Sequence, residues 1–257
     1  MRKETKKLTL VPLVLMIFTS VFGFANMPKA FFLMGYSAIP WYVISAILFF
    51  IPYAFMMAEF GSAFKKESGG MYSWMEKSVG GKYAFIGTFM WYASYMIWMV
   101  NVSSTIWIPL SNAIFGSDMT GTWSLFGLNS VETLGILASL WIIVVTFIST
   151  KGIDKISKIT SIGGTAVAIL NLVLLGGGIL VLLLNGGLAQ PITNIAEAFT
   201  TSPNSAYGTP IAVLSFLTFA MFAFGGLEAI GGLVDQTKNA EKTFPKGIAI
   251  SAVVISL

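Results

Sequence analysis

Long apolar stretches alternate along this sequence with short segments that carry nearly all of its charged residues. A membrane-spanning helix needs about 20 predominantly apolar residues. Stretches of this kind, each without a charged residue, run over 8–28, 30–58, 83–117, 133–150, 159–184 and 211–227. A further stretch begins near Gly247 and is still apolar at Leu257. The pattern predicts an all-α membrane protein with six complete spans and part of a seventh.

Composition supports this class and excludes several others. Of the 257 residues, 56% are hydrophobic and 10% are charged, whereas an average soluble domain carries about 25% charged residues. A soluble enzyme or a disordered chain is therefore excluded. The chain contains no Cys and no His, which excludes disulfides, thiolate or imidazole metal sites and a Ser-His catalytic pair. We expect no cofactor and no bound metal.

The basic residues indicate how the chain is oriented. Four lie in the N-terminal segment 2–7, four in 65–82 after the second span, three in 151–158 after the fourth, and three in 238–246 after the sixth, which makes 14 of the 15. The intervening loops 118–132 and 185–210 contain none. Because Lys and Arg accumulate in cytoplasmic loops, this distribution predicts a cytoplasmic N-terminus. The net charge of +4 is then a topology signal, and the expected partner is the lipid bilayer rather than a nucleic acid.

Two predicted spans contain residues that are unfavourable in a continuous lipid-facing helix. Segment 19–29 of the first span combines Thr, Ser, Gly, Asn, Pro and Lys, and in the sixth span Gly225 and Gly226 precede Glu228. Unwound backbone at membrane depth is tolerated only where it faces protein or a water-filled cavity. Interrupted first and sixth spans are typical of an inverted-repeat transporter, whose half-helix ends offer free N–H and carbonyl groups to a substrate. Glycine pairs also permit close helix packing, but Glu228 adds a cost that packing alone does not explain.

Three segments resemble motifs of the amino acid–polyamine–organocation (APC) permease superfamily. They are Ala58-Glu59-Phe60-Gly61 followed by Gly69-Gly70-Met71-Tyr72, then Phe224-Gly225-Gly226-Leu227-Glu228-Ala229, and the loop 235–246. Phe50-Ile51-Pro52 and the first span are similar to the glutamate/GABA antiporter branch, and in particular to its bacterial inner-membrane permeases. The resemblance covers the whole chain.

The resemblance implies a LeuT-type inverted-repeat fold, usually of twelve spans, with broken helices 1 and 6. Substrate would lie between spans one, three, six and eight. Residues 1–257 would form a single permease domain, with the first five-helix repeat over about 8–184 and the start of the second over about 209–257. We therefore expect the chain to be a fragment of a longer permease.

The same resemblance implies the residues that meet the substrate. The backbone around Gly23 would hold the substrate carboxylate, Phe222 would cover the substrate, and Glu228 would link gating or protonation to it. The predicted substrate-binding residues are Ser20, Phe22, Gly23, Phe24, Tyr92, Phe222, Gly225 and Gly226; the predicted gating or proton-coupling residues are Glu228, Glu59 and Lys29. The sequence departs from the family at Val21-Phe22-Gly23, where many members read Gly-Ser-Gly. The serine hydroxyl is therefore missing, and Phe22 narrows the space.

Two of these charged residues have a second interpretation. Lys29 either extends its ammonium group to the membrane interface or attracts acidic substrates and pairs with Glu228. Glu59, close to Lys65 and Lys66 at the predicted cytoplasmic boundary, fits an inner gate or a loop anchor better than a substrate ligand.

These features predict a secondary active transporter of amino acids or related amines in the bacterial cytoplasmic (inner) membrane. It would work by alternating access, as an antiporter or coupled to protons, and not as an enzyme. The chain contains no Gly-x-x-x-x-Gly-Lys-Ser/Thr phosphate-binding motif, which disfavours ATP-driven pumping. A sodium-coupled symporter of the same fold and a non-transporting membrane sensor or interaction protein are the alternatives. The sequence leaves open which amine is carried and whether two copies form a homodimer.

Overall fold

The computed structural model describes residues 7–23, 25–187, 194–200, 202 and 204–256. Twelve α-helices follow one another in this part of the chain. They are α1 (Leu10–Val21), α2 (Asn26–Met34), α3 (Ala38–Ser45), α4 (Ile51–Ala63), α5 (Met71–Val79), α6 (Gly81–Thr105), α7 (Trp107–Phe115), α8 (Ser130–Ser149), α9 (Ile153–Asn185), α10 (Ile195–Thr200), α11 (Pro210–Phe222) and α12 (Ala240–Ser256). A π-helical turn, Ala46–Phe50, joins α3 to α4, and a 3₁₀ segment, Leu227–Leu233, follows α11.

Four helical stretches of the described residues are long and apolar enough to cross a membrane. They are Leu10–Ala63, Ser130–Ser149, Ile153–Asn185 and Pro210–Leu233. The first is 54 residues long and contains the turn Gly35–Ser37, so it holds the first two predicted spans. The third predicted span, 83–117, is divided between α6, which has 25 residues, and α7, and the Trp, Tyr, Ser and Asn residues of α6 lower its mean hydropathy. The chain is thus an all-helical, multi-pass membrane protein, while the count of six spans and part of a seventh stays a prediction.

Contacts divide the chain into two compact units. The first comprises Met1–Trp74 and Ser157–Leu257, and the second comprises Met75–Ile156. In the second unit α6 packs against α8. Helix α8 begins with a capping box, in which the Asn129 side chain accepts from the Glu132 N–H at 3.0 Å and the Glu132 carboxylate accepts from the Asn129 N–H at 2.9 Å. These two bonds satisfy backbone donors that a helix start leaves without partners.

The main core of the first unit lies where α1, α4 and α12 pack together. Glycines allow this close approach. A Cβ atom on Gly247 would lie 2.8 Å from Leu13, and one on Gly61 would lie 2.3 Å from the Phe244 ring. Leu13 and Phe244 have no exposed surface. Small residues let membrane helices approach closely, so these two contacts hold α1 and α4 against α12.

A second, smaller core joins α2 and α3 to α11. Its buried members are Ala30, Met34, Ala38, Val213, Phe216 and Ala220. It contains residues of α2, which follows the break in the first span, whereas the main core contains residues of α1, which precedes the break. Each half of the interrupted first span therefore has its own packing partners.

Candidate functional site

The first span leaves the helical conformation between Val21 and Asn26. Phe22 still donates its N–H to the Phe18 carbonyl at 2.8 Å and stacks on that ring at 4.9 Å between centroids. The Asn26 N–H then donates to the Gly23 carbonyl at 2.8 Å, which closes a tight turn into α2. The N–H of Gly23 has no hydrogen-bond partner among the described residues. This break therefore offers a backbone donor beside the start of a new helix.

The sixth span is interrupted immediately after Phe222. The N–H groups of Phe224 and Gly225 form tight-turn bonds to the carbonyls of Met221 and Phe222, at 3.1 and 3.0 Å. Gly226 then adopts φ +121° and ψ −15°, a conformation that L-residues with a side chain rarely adopt. The 3₁₀ segment Leu227–Leu233 follows. Two glycines and a change of helix type thus produce the break at the predicted place.

The two breaks touch each other. A Cβ atom on Gly226 would lie 2.4 Å from the Ser20 carbonyl oxygen and 3.0 Å from its carbonyl carbon. Real Cβ atoms do not approach backbone so closely, so only glycine fits at this position. The structure therefore brings together Ser20 and Gly226, which belong to breaks more than 200 residues apart in the sequence.

Glu228 is held at the sixth-span break by two donors. Its Oε2 atom accepts from the Gly226 N–H at 3.0 Å and from the Tyr53 hydroxyl at 2.5 Å. Charge-assisted hydrogen bonds of this kind offset the cost of placing a carboxylate away from bulk water. Glu228 thus connects its own break to α4 of the second span.

Aromatic contacts hold the same break from another side. Phe224 is 6% exposed and stacks on Phe50 with ring centroids 4.7 Å apart. The Tyr42 ring meets Phe224 edge-on at 5.9 Å. The backbone after α11 is therefore fixed to the second span through packing as well as through Glu228.

The predicted cover residue and the predicted cation lie near the end of α11. Phe222 is its last residue, with 61% of its surface exposed. The Lys29 ammonium lies over the Phe219 ring, 5.3 Å from its centroid. Within the described part of the chain no ion pair joins Lys29 to Glu228. Lys29 thus makes a cation–π contact with the sixth span, while its role in gating stays a prediction.

Three predicted site residues remain to be described. Glu59 is exposed near the end of α4, and its neighbour Lys65 forms an ion pair with Glu241. Tyr92 lies on α6 in the second unit and is 57% exposed. Phe24 lies outside the described residues.

A backbone link joins the beginning of α1 to the segment that follows Leu227–Leu233. The Leu8 N–H donates to the Gln236 carbonyl, and the Lys238 N–H donates to the Leu8 carbonyl, both at 2.8 Å. Leu8 is 5% exposed and Thr237 2% exposed. Helix α1 is therefore attached to the sixth-span region at two places, at this β-bridge and at the Ser20–Gly226 contact.

Sequence reasoning missed Tyr53 as a member of the site. One signal was available, because a phenolic hydroxyl within an apolar span needs a hydrogen-bond partner. The second predicted span contains three tyrosines, Tyr36, Tyr42 and Tyr53, and the sequence alone does not say which one meets Glu228. The Leu8 bridge has no side-chain signal, since it is formed by backbone atoms.

Apolar helices interrupted at two breaks that meet inside the fold are typical of membrane transport proteins. A family model described as "Amino acid permease" matches residues 8–257. The chain therefore belongs to the amino acid permease family, whose members are membrane transporters rather than enzymes.

Individual relatives agree with this family. The chain is 58% identical to the inner membrane transporter YjeM of Salmonella typhimurium over 258 residues, which cover 100% of the chain and 51% of that protein. It is 26% identical to the aspartate/glutamate permease AcaP of Lactococcus lactis, covering 99% of the chain and 50% of that protein. A third relative from Lactococcus lactis, named probable agmatine/putrescine antiporter AguD, is 25% identical over 86% of the chain and 43% of its own length. The chain thus spans about half the length of these curated relatives.

Proposed function

We propose that the protein that carries this chain is a secondary transporter of amino acids or related amines in the bacterial inner membrane. The observation that carries the proposal is the contact between the two breaks, where Gly226 meets the Ser20 carbonyl. In many alternating-access transporters the substrate site is formed where interrupted helices end beside each other. The name of YjeM supports the location in the inner membrane, and the names of AcaP and AguD support the substrate class.

Backbone groups at the breaks provide the substrate contacts in this proposal. The N–H of Gly23 has no partner among the described residues and lies beside the N-terminus of α2, where the helix dipole favours a carboxylate. Carbonyl groups at the end of α1 and in the turn after α11 suit a substrate ammonium. Backbone recognition of this kind reads the features that all amino acids share, so it does not require the serine hydroxyl that this sequence lacks.

Side chains then provide closure and coupling. Phe222, exposed at the end of α11, covers the substrate from one side. Glu228 changes its charge or its hydrogen-bond partner as the gate moves, which links the sixth-span break to α4. We propose antiport or proton coupling as the mode of transport, with the N-terminus in the cytoplasm and a LeuT-type repeat arrangement.

Transport by the reconstituted gene product tests the proposal. Proteoliposomes would be loaded with unlabelled glutamate, aspartate, agmatine or putrescine, and uptake of each labelled compound would be measured with and without a pH gradient. Protein-free liposomes provide the background. We expect exchange or proton-driven uptake of at least one compound. A strict sodium requirement would replace the proposal with a sodium symporter, and absence of flux for a full panel of amino acids and amines would overturn it.

A further inference from the structure

We propose that Tyr53 is a positioning residue that sets the contact between the two breaks through the carboxylate of Glu228. The kinetic part of its test rests on the proposed transport function, whereas the structural part does not. Tyr53 thereby adds to the site a residue of the second span, which is not one of the two interrupted spans.

The first step is the convergence of two donors on one atom. The Tyr53 hydroxyl and the Gly226 N–H both donate to Oε2 of Glu228, at 2.5 and 3.0 Å. One oxygen atom of Glu228 therefore links the Gly226 N–H to the Tyr53 side chain of α4. Movement of the hydroxyl displaces the acceptor on which the unusual conformation of Gly226 depends.

The second step is the anchoring of Tyr53 itself. Its ring stacks on Phe49, with centroids 5.6 Å apart and planes 19° apart. Helix α4, which carries Tyr53, is held to α12 by the close contact between Gly61 and Phe244. The hydroxyl is thus presented to Glu228 by a packed helix.

The third step leads from Glu228 to the first span. There is no room for a Cβ atom between Gly226 and the Ser20 carbonyl. A small displacement of the Gly226 peptide therefore either separates the two breaks or makes their backbone atoms clash. Val21, the next residue after Ser20, is 4% exposed; it packs in the same core as Phe224 and Leu227, which flank the sixth-span break, and its Cα would lie 3.5 Å from a Cβ atom on Gly226. Exposure of position 21 therefore reports whether the breaks remain together.

The same span provides a matched control. The Tyr42 hydroxyl is buried and has no hydrogen-bond partner among the described residues, so Tyr42→Phe removes the same atom without breaking such a bond. The comparison of Tyr42→Phe with Tyr53→Phe therefore separates loss of a hydroxyl that makes a hydrogen bond to Glu228 from loss of a hydroxyl as such.

The structural test uses one introduced thiol. The chain contains no cysteine, so Val21→Cys supplies a single reporter in this part of the detergent-solubilised gene product, after any cysteine outside this chain has been replaced by serine. The rate of N-ethylmaleimide labelling would be measured in the Tyr53→Phe and Tyr42→Phe backgrounds. We expect labelling about tenfold faster with Tyr53→Phe, the factor for loss of a hydrogen bond to a charged acceptor, and an unchanged rate with Tyr42→Phe.

A double-mutant comparison separates positioning from general loosening. In a Glu228→Ala background the acceptor is absent, so Tyr53→Phe should add no further acceleration. Equal acceleration in that background, or by Tyr42→Phe, would overturn the proposal. If Tyr53→Phe does not yield folded protein, Glu228→Gln keeps an acceptor without its charge. It should then give an intermediate labelling rate, and an unchanged rate would overturn the proposal.

Transport kinetics complete the test. Where exchange is measurable, we expect Tyr53→Phe to raise the substrate KM about tenfold, because displaced breaks hold the substrate less well, and to leave protein yield unchanged. Transport with normal KM and normal labelling in Tyr53→Phe would reject the positioning role and leave the proposed function intact. Absence of transport together with the expected labelling order would reject the proposed function and leave the positioning role intact.

Discussion

Substitution of Gly226 by alanine would test the contact between the breaks most directly. The new Cβ atom would lie 2.4 Å from the Ser20 carbonyl oxygen, and the backbone would have to keep φ at +121°. A strained backbone conformation costs about 1–3 kcal/mol, and forced overpacking costs typically about 1–3 kcal/mol. The two penalties are incurred at the same atom, so we expect a loss in the free energy of unfolding on the order of 4 kcal/mol.

Thermal unfolding of the purified gene product in detergent would measure this loss. In a domain of about 150–250 residues 1 kcal/mol corresponds to a shift of about 2–4 °C, and the shift is smaller in a longer protein, so Gly226→Ala should lower the melting temperature by several degrees. Gly232→Ala is the matched control, because it lies in the same 3₁₀ segment and a Cβ atom there would meet nothing within 4 Å. The clash involves the Ser20 backbone, so Ser20→Ala should not restore stability. Equal melting temperatures for Gly226→Ala and Gly232→Ala would refute the contact.

Three further predictions concern the neighbouring contacts. Glu228→Gln should slow transport and flatten its pH dependence in proteoliposomes, and an unchanged rate and pH profile would remove Glu228 from the mechanism. Hydrogen bonding by Lys65 holds the pKa of Glu241 below its usual range. This ion pair therefore stabilises the fold at pH values above the ordinary glutamate pKa, and its contribution to stability disappears as the pH falls through the lowered pKa. Both side chains are exposed, so Glu241→Gln should leave the melting temperature at neutral pH nearly unchanged. Gly61→Ala should lower the melting temperature because a Cβ atom would meet the Phe244 ring at 2.3 Å, with a cost of about 1–3 kcal/mol, and Phe244→Leu in the same protein should recover part of the loss if steric overlap is the cause.

The sequence was sufficient to predict where the helices break, because the cause is local. Gly225 and Gly226 weaken the helix, and the end of α11 at Phe222 needs nothing from distant residues except space. The same holds for the first span, where Gly23, Asn26 and Pro28 occur within six residues. Local chemistry of this kind is visible without a structure.

The partners of the breaks could not be predicted in the same way. That Glu228 would meet Tyr53 depends on the π-helical turn Ala46–Phe50, which sets the direction of the side chains that follow it in α4. Lys29 was expected to pair with Glu228 as one alternative, yet its contact is with the Phe219 ring. Both outcomes follow from how helices rotate against each other, and apolar periodicity in a membrane span specifies this rotation only weakly.

The attachment of α1 also has a consequence for the order in which the protein is assembled. Helix α1 is synthesised before α12 and packs against it, and the Ser251 hydroxyl donates to the Val14 carbonyl across 237 residues of sequence. At the usual rate of synthesis, about 5–20 residues per second, α1 waits tens of seconds for this partner. Until α12 is made, lipid can cover the apolar face of α1, but lipid cannot form hydrogen bonds with the backbone groups at the break. The turn after Val21 therefore gains its contact with Gly226 only late in synthesis.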